Sequence, residues 1–128
     1  PYYKRMAEII HNSGKPCIMH SCGQLSAVMD DIIDDVKIDA KHFFEDSILP
    51  VDKAVEIYGD RIAILGGIDV GRLCTDSEKE IREYTAKLIR DLGSKGRYAV
   101  GSGNSIAHYV PVEHYLAMID EAWKCRRI

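Results

Sequence analysis

The sequence lacks an apolar run long enough to cross a membrane and lacks an excess of positive charge. One of its longest apolar runs, 62–68, is far shorter than the roughly 20 residues of a membrane-spanning helix, and no signal-peptide pattern precedes it. The 17 Lys and Arg residues are outnumbered by 20 Asp and Glu residues. We therefore expect no membrane or nucleic-acid partner and a cytoplasmic location.

The spacing of the cysteines excludes two of their common uses. The four cysteines are far apart, with neither the framework of a disulfide-rich secreted domain nor paired CxxC motifs, so we expect reduced thiols. The chain has 128 residues and opens with Pro1 instead of Met, whereas a closed (β/α)8 barrel needs about 250. We expect a piece of a longer protein.

What the sequence does contain is a regular alternation of helical and strand patterns. Apolar residues at helical spacing are followed by short apolar runs, and Gly or Pro marks most boundaries. At Ser77, acids in the first turn indicate a helix start. The predicted strands are 16–20, 37–44, 61–67 and 98–100, and the predicted helices are 6–10, 25–33, 50–57, 78–92 and 111–123.

Four successive βα units are typical of a parallel sheet with helical crossovers. They predict the α/β fold of half a TIM barrel, (βα)4, while an open flavodoxin-like sheet is the alternative with the same order of elements. In either fold, the loops after parallel strands share one edge. His20, Glu45, Asp69 and Ser102 follow or end the four strands, so we expect them on one rim.

His20 and Cys22 stand two residues apart at the end of the first strand. Imidazole and thiolate ligands suit zinc, although a structural His beside an inert Cys is the alternative. After the second strand, Glu45 is a candidate third ligand or acid-base group. Because side chains alternate along a strand, His42 and Glu45 are expected to point differently, and Glu45 is preferred as the site residue.

Two glycine-rich turns follow the later strands. Gly66 and Gly67 allow a close backbone approach to a ligand, and Asp69 either accepts hydrogen bonds from that ligand or caps the next helix. The turn 101–105 forms either an anion-binding backbone nest or a tight strand-to-helix turn. These alternatives remain open from the residues alone.

The motifs His20-Ser21-Cys22-Gly23, 65–69 (LGGID), 101–104 (GSGN) and 111–113 (PVE) resemble, in order and spacing, the C-terminal half of a known superfamily. It comprises uroporphyrinogen decarboxylases and cobalamin-dependent methyltransferases. The resemblance covers nearly the whole chain and implies that residues 1–128 are the C-terminal half of such a barrel domain, without its N-terminal half.

The form His-x-Cys resembles the zinc motif of the methyltransferase branch. It implies transfer of a methyl group from a methylcorrinoid on a partner protein to a small-molecule acceptor such as a thiol. Zinc would be held by His20, Cys22 and Glu45. The implied catalytic residues are Glu45 and Asp69, and the implied substrate-binding residues are Gly67, Ser102 and Asn104.

Ser102 departs from both branches of the superfamily. The methyltransferases have a further zinc-binding Cys in this turn and the decarboxylases a His, so the resemblance leaves either site incomplete here. The alternatives are therefore a uroporphyrinogen decarboxylase of porphyrin biosynthesis and a catalytically inactive fragment. Because half a barrel exposes strand edges, we also expect the chain to form homo-oligomers.

Overall fold

The computed structural model describes residues 1–42, 44–95 and 97–126, in which strands and helices alternate. Phe43, which the sequence places in the second strand, lies outside the described residues. The strands are β1 (Ile18–His20), β2 (Ala40–His42), β3 (Ala63–Ile68) and β4 (Tyr98–Ser102). The α-helices are α1 (Tyr2–Asn12), α2 (Met29–Asp31), α3 (Val51–Tyr58), α4 (Val70–Thr75), α5 (Glu78–Leu92) and α6 (Val112–Cys125).

The four strands form one parallel sheet in the order β1-β2-β3-β4. This order confirms the predicted (βα)4 arrangement of a half-barrel and excludes the flavodoxin-like alternative, which requires a changed strand order. The register places His20 opposite His42, His42 opposite Leu65, and Leu65 opposite Ala99. These four residues therefore lie side by side in one row across the sheet.

The two faces of the sheet differ sharply in burial. Ile64 and Ile68 of β3 are 0% and 1% exposed within the apolar core, and each such side chain stabilises the fold by about 1.5 to 3 kcal/mol. On the opposite face, Ile18 of β1 is 58% exposed. His20 and Ala99 on this face are also exposed. Helices thus cover one face, and the other corresponds to the interior of a barrel.

The helix predicted over 25–33 is less regular than its sequence pattern indicates. A 3-10 turn (Ser26–Val28) leads into α2, which continues as a π-helical turn (Ile32–Val36). The predicted apolar face is present, since Met29 and Ile33 are buried. Apolar spacing specifies which face is buried but not the hydrogen-bond register, so the predicted helix is present but changes its register along its length.

Helix α5 begins as the sequence predicts. The Ser77 hydroxyl accepts a hydrogen bond from the Glu80 main-chain N–H, and the Glu80 carboxylate accepts one from the Ser77 N–H, which completes a capping box. Within the described residues, no helix has both the length and the apolar character needed to cross a membrane.

Candidate functional site

The carboxyl ends of the strands meet at one edge of the sheet, as predicted. His20, His42 and Ser102 are the last residues of β1, β2 and β4, and Asp69 directly follows β3. The register places His20 and His42 level with Leu65 and Ala99, so β3 and β4 extend three residues further at this same edge. The edge therefore carries two imidazoles and a carboxylate within neighbouring units.

His20 and Cys22 face each other across the turn that follows β1. The Cys22 Sγ lies 3.7 Å from the His20 Nε2, and both side chains are exposed. Gly23, with φ of +91°, provides the left-handed conformation of this turn. The predicted pair is thus close enough for both atoms to contact the same bound atom.

His42 contacts His20 directly. Their Nδ1 atoms are 2.7 Å apart, and the ring centroids are 4.9 Å apart with planes inclined by 31°. The His42 Nε2 lies 3.0 Å from the main-chain oxygen of Ser102, across the intervening strand β3. A hydrogen-bonded series therefore runs from Cys22 through both histidines to β4.

Glu45 does not join this series. It is half-buried and lines a small cleft with Gln24, Lys41 and Phe44. Its main-chain oxygen accepts hydrogen bonds from the N–H groups of residues 48 and 49. Among residues 1–42, 44–95 and 97–126, no three His, Cys, Asp or Glu side chains gather closely enough to hold a metal ion. The predicted roles of Glu45 as ligand or catalyst remain predictions.

Lys41 is buried on the helix-facing side of β2. It is 4% exposed, and its Nζ lies 4.4 Å from the centre of the Phe44 ring. Burial lowers the pKa of Lys41, while nearby Cys22 opposes this change. A buried lysine next to the site could not be predicted, because alternation along a short strand does not by itself identify the buried face.

Asp69 caps the helix that follows it. Its Oδ1 accepts a hydrogen bond from the Gly71 N–H at 2.7 Å, and its Oδ2 accepts one from the Asp46 N–H at 3.3 Å. Burial, together with the negative charge of Asp69, raises the pKa of the Asp46 carboxyl. The capping interpretation of Asp69 is thus confirmed, while a catalytic role remains a prediction.

The three predicted substrate-binding residues all make close local contacts. A Cβ atom at Gly67 would lie 2.7 Å from the Val51 side chain, so this glycine allows close packing of β3 against α3. The Ser102 hydroxyl donates to the Asn104 main-chain oxygen, and the Asn104 Oδ1 accepts from the Ser105 N–H. Substrate binding by Gly67, Ser102 and Asn104 remains a prediction.

Reasoning from the sequence preferred Glu45 to His42, yet His42 is the residue that contacts His20. Both histidines end their strands and stand opposite each other in the parallel register. Pairing of consecutive βα units was itself predicted, so this alignment was the signal that could have identified His42. Gly66 was noted only for backbone approach, and its role beside the His42 ring was missed.

Comparison with known proteins agrees with the fold of the chain. A methyltransferase from Methanosarcina mazei has a similar structure, with a TM-score of 0.68 at 19% identity, over 95% of this chain and 35% of that one. The chain thus spans about a third of that protein's length. No curated protein sequence matches it. Residues 1–124 match the family model described as Uroporphyrinogen decarboxylase (URO-D), so the chain belongs to the uroporphyrinogen decarboxylase family.

Proposed function

We propose that the whole protein is a corrinoid-dependent methyltransferase, which moves a methyl group from a methylcorrinoid protein to a thiol or a similar acceptor. In this proposal, residues 1–128 are the C-terminal half of its barrel domain. The observation that carries the proposal is the His20–Cys22 pair, because the decarboxylases of this superfamily do not need it. The methyltransferase with a similar fold supports the same branch.

The geometry of the pair suits two ligands of one zinc ion. Zinc binds imidazole nitrogen at about 2.0 Å and thiolate sulfur at about 2.3 Å, so two tetrahedral ligands lie about 3.5 Å apart. The observed separation between Nε2 and Sγ is 3.7 Å. Two protein ligands are fewer than a stable zinc centre uses, so the proposal needs a third. Glu45 is the predicted third ligand, and its side chain would have to move out of the cleft that it lines to join the pair.

Within this site, bound zinc would lower the pKa of an acceptor thiol so that it is deprotonated near neutral pH. The residues of this chain would hold the zinc ion and orient the acceptor beside it. His20 and Cys22 lie beside the uncovered face of the sheet, where a small molecule can reach them. Glu45 and Asp69, the predicted catalytic carboxylates, lie on the same rim, as do the predicted substrate-binding residues Gly67, Ser102 and Asn104.

The proposal is tested by measuring zinc in the purified whole protein by elemental analysis. We expect about one zinc per chain, and loss of most of it in Cys22→Ser, because open sites with few protein ligands bind weakly. Cys125→Ser is the matched control, since Cys125 lies at the end of α6 and its Sγ contacts Glu121. Equal zinc in both variants would refute the assignment of Cys22.

Activity distinguishes the two enzyme classes. Free methylcobalamin serves as the methyl donor and a simple thiol as the acceptor, and demethylation is followed by the absorbance of the corrinoid. We expect turnover that depends on Cys22. Release of carbon dioxide from uroporphyrinogen with no methyl transfer would instead support the decarboxylase alternative and overturn the proposal.

A further inference from the structure

The contact between His20 and His42 constrains where protons can be. Their Nδ1 atoms are 2.7 Å apart, which is a hydrogen-bond distance. Two N–H groups cannot point at each other at this distance, and neither can two lone pairs without a proton between them. One proton therefore lies between the rings, and it is covalently bound to either His20 or His42.

The main-chain oxygen of Ser102 decides which ring carries it. A carbonyl oxygen only accepts hydrogen bonds, so the His42 Nε2, 3.0 Å away, must carry a proton and donate it. In a neutral imidazole the other nitrogen is then an acceptor. When both rings are neutral, the His42 Nδ1 thus accepts from the His20 Nδ1–H. This leaves a lone pair on the His20 Nε2, which faces the Cys22 sulfur at 3.7 Å.

Main-chain features hold this arrangement in place. The acceptor at Ser102 belongs to the backbone of β4 and cannot rotate away as a side chain can. The parallel register places His20 and His42 opposite each other at the ends of β1 and β2. Gly66 lies next to the His42 ring, where a Cβ atom would come within 3.4 Å of the Nε2 and 2.8 Å of the Ser102 oxygen. The absence of a side chain at position 66 makes room for the His42 bond.

We propose that His42 is a positioning residue that fixes His20 as the Nδ1–H tautomer and so directs the His20 Nε2 lone pair toward the atom that Cys22 also binds. This inference rests on the proposed function in taking that atom to be zinc. Histidines that bind metals almost always donate their other N–H to an acceptor, usually a carboxylate, a carbonyl or water. Here the acceptor is the His42 imidazole, which is itself hydrogen-bonded to the main-chain oxygen of Ser102.

Nuclear magnetic resonance of the zinc-free whole protein, labelled with ¹⁵N in its imidazole rings, tests the tautomer without any enzyme assay. Long-range ¹H–¹⁵N spectra distinguish protonated from unprotonated ring nitrogens. We expect His20 to be protonated at Nδ1 and His42 at Nε2. A proton on the His20 Nε2 in this protein would overturn the inference, whatever the zinc content proves to be.

Variants at position 42 provide the second measurement. In His42→Phe the acceptor is lost, so we expect His20 to lose its single tautomer. In His42→Gln an amide oxygen can accept from His20 while the amide N–H donates to Ser102, so we expect Nδ1–H to be retained. His11→Gln is the control, because His11 contacts Asp39 at the amino ends of the strands. If His20 keeps one tautomer in His42→Phe, His42 does not position it.

Measuring zinc affinity in the same variants tests whether the His20 tautomer matters for metal binding. Competition with a chelator should show that His42→Phe binds zinc about 10- to 100-fold more weakly than the unchanged protein, as is typical for loss of such a supporting residue. His42→Gln should recover much of this loss, and His11→Gln should show none. If the unchanged protein has the expected tautomers but binds no zinc, the proposed function fails while the positioning of His20 stands. Unchanged affinity in a folded His42→Phe would overturn the link to metal binding.

Discussion

The His42 ring packs against the main chain of Gly66, with too little room between them for a side chain at position 66. A Cβ atom there would lie 3.4 Å from the ring Nε2 and 2.8 Å from the Ser102 main-chain oxygen, and Gly66 has φ of +101°. We expect Gly66→Ala to lower the free energy of unfolding by about 2 to 4 kcal/mol, from backbone strain and overpacking together. Denaturant titration of the 128-residue chain measures this change.

Gly14→Ala separates the two causes. Gly14 also has a positive φ, of +72°, but a Cβ atom added there would meet no neighbouring atom within 4 Å. The backbone strain alone should therefore lower the free energy of unfolding of Gly14→Ala, by about 1 to 2 kcal/mol. Equal losses in the two variants would mean that the contacts with His42 and Ser102 do not limit the size of residue 66.

The buried Tyr98 hydroxyl should make the fold lose stability at alkaline pH. Its hydroxyl donates to the Gly66 main-chain oxygen at 2.9 Å, and burial, aided by Tyr84, raises the pKa of Tyr98. The unfolded chain releases this proton near pH 10, while the folded chain still holds it. The stability contributed by Tyr98 is therefore fully present below about pH 10 and declines as the pH rises above it.

Comparison of Tyr98→Phe with the unchanged chain isolates this effect. At pH 8 we expect the variant to be about 1 to 2 kcal/mol less stable, because the Gly66 carbonyl loses its donor. Above pH 10 the difference should shrink. Tyr109→Phe is the matched control, since Tyr109 is 64% exposed and its replacement should cause little change at either pH. A Tyr98→Phe difference that stays constant up to pH 11 would contradict the prediction.

Much of the fold could be predicted because its signals are local and periodic. Runs such as 61–67 identify strands, and consecutive βα units imply parallel strands in sequence order, as found. The π-helical turn Ile32–Val36 could not be predicted, since apolar spacing leaves the hydrogen-bond register open. The uncovered face of the sheet followed from the chain being shorter than a closed barrel.

The candidate site was harder to predict because its geometry depends on pairs of distant residues. The His20–Cys22 motif is local and was identified, and the structure brings these two side chains together. The contact between His42 and the Ser102 carbonyl spans 60 positions and passes beside Gly66, so no short motif encodes it. For Asp69, capping and catalysis have the same sequence signal, and only the contacts to main-chain N–H groups reveal the cap.

The 128-residue chain has features that favour self-association. Strands β1 and β4 lie at the two ends of the sheet, and Ile18 on the uncovered face is 58% exposed. Unpaired strand edges and exposed apolar side chains both favour association. We expect a homodimer or a larger oligomer at micromolar concentration, measured by light scattering across a dilution series.

A charged residue on the uncovered face should weaken this association. We expect Ile18→Glu to shift the measured mass toward the 14.4 kDa of one chain, because a carboxylate loses its hydration when the face is covered. Ile57→Glu is the matched control, since Ile57 is 55% exposed but lies on helix α3, on the covered side of the sheet. It should leave the mass unchanged. A mass of 14.4 kDa for the unchanged chain at every concentration would refute self-association, and equal effects of the two substitutions would place the contact elsewhere than on the uncovered face.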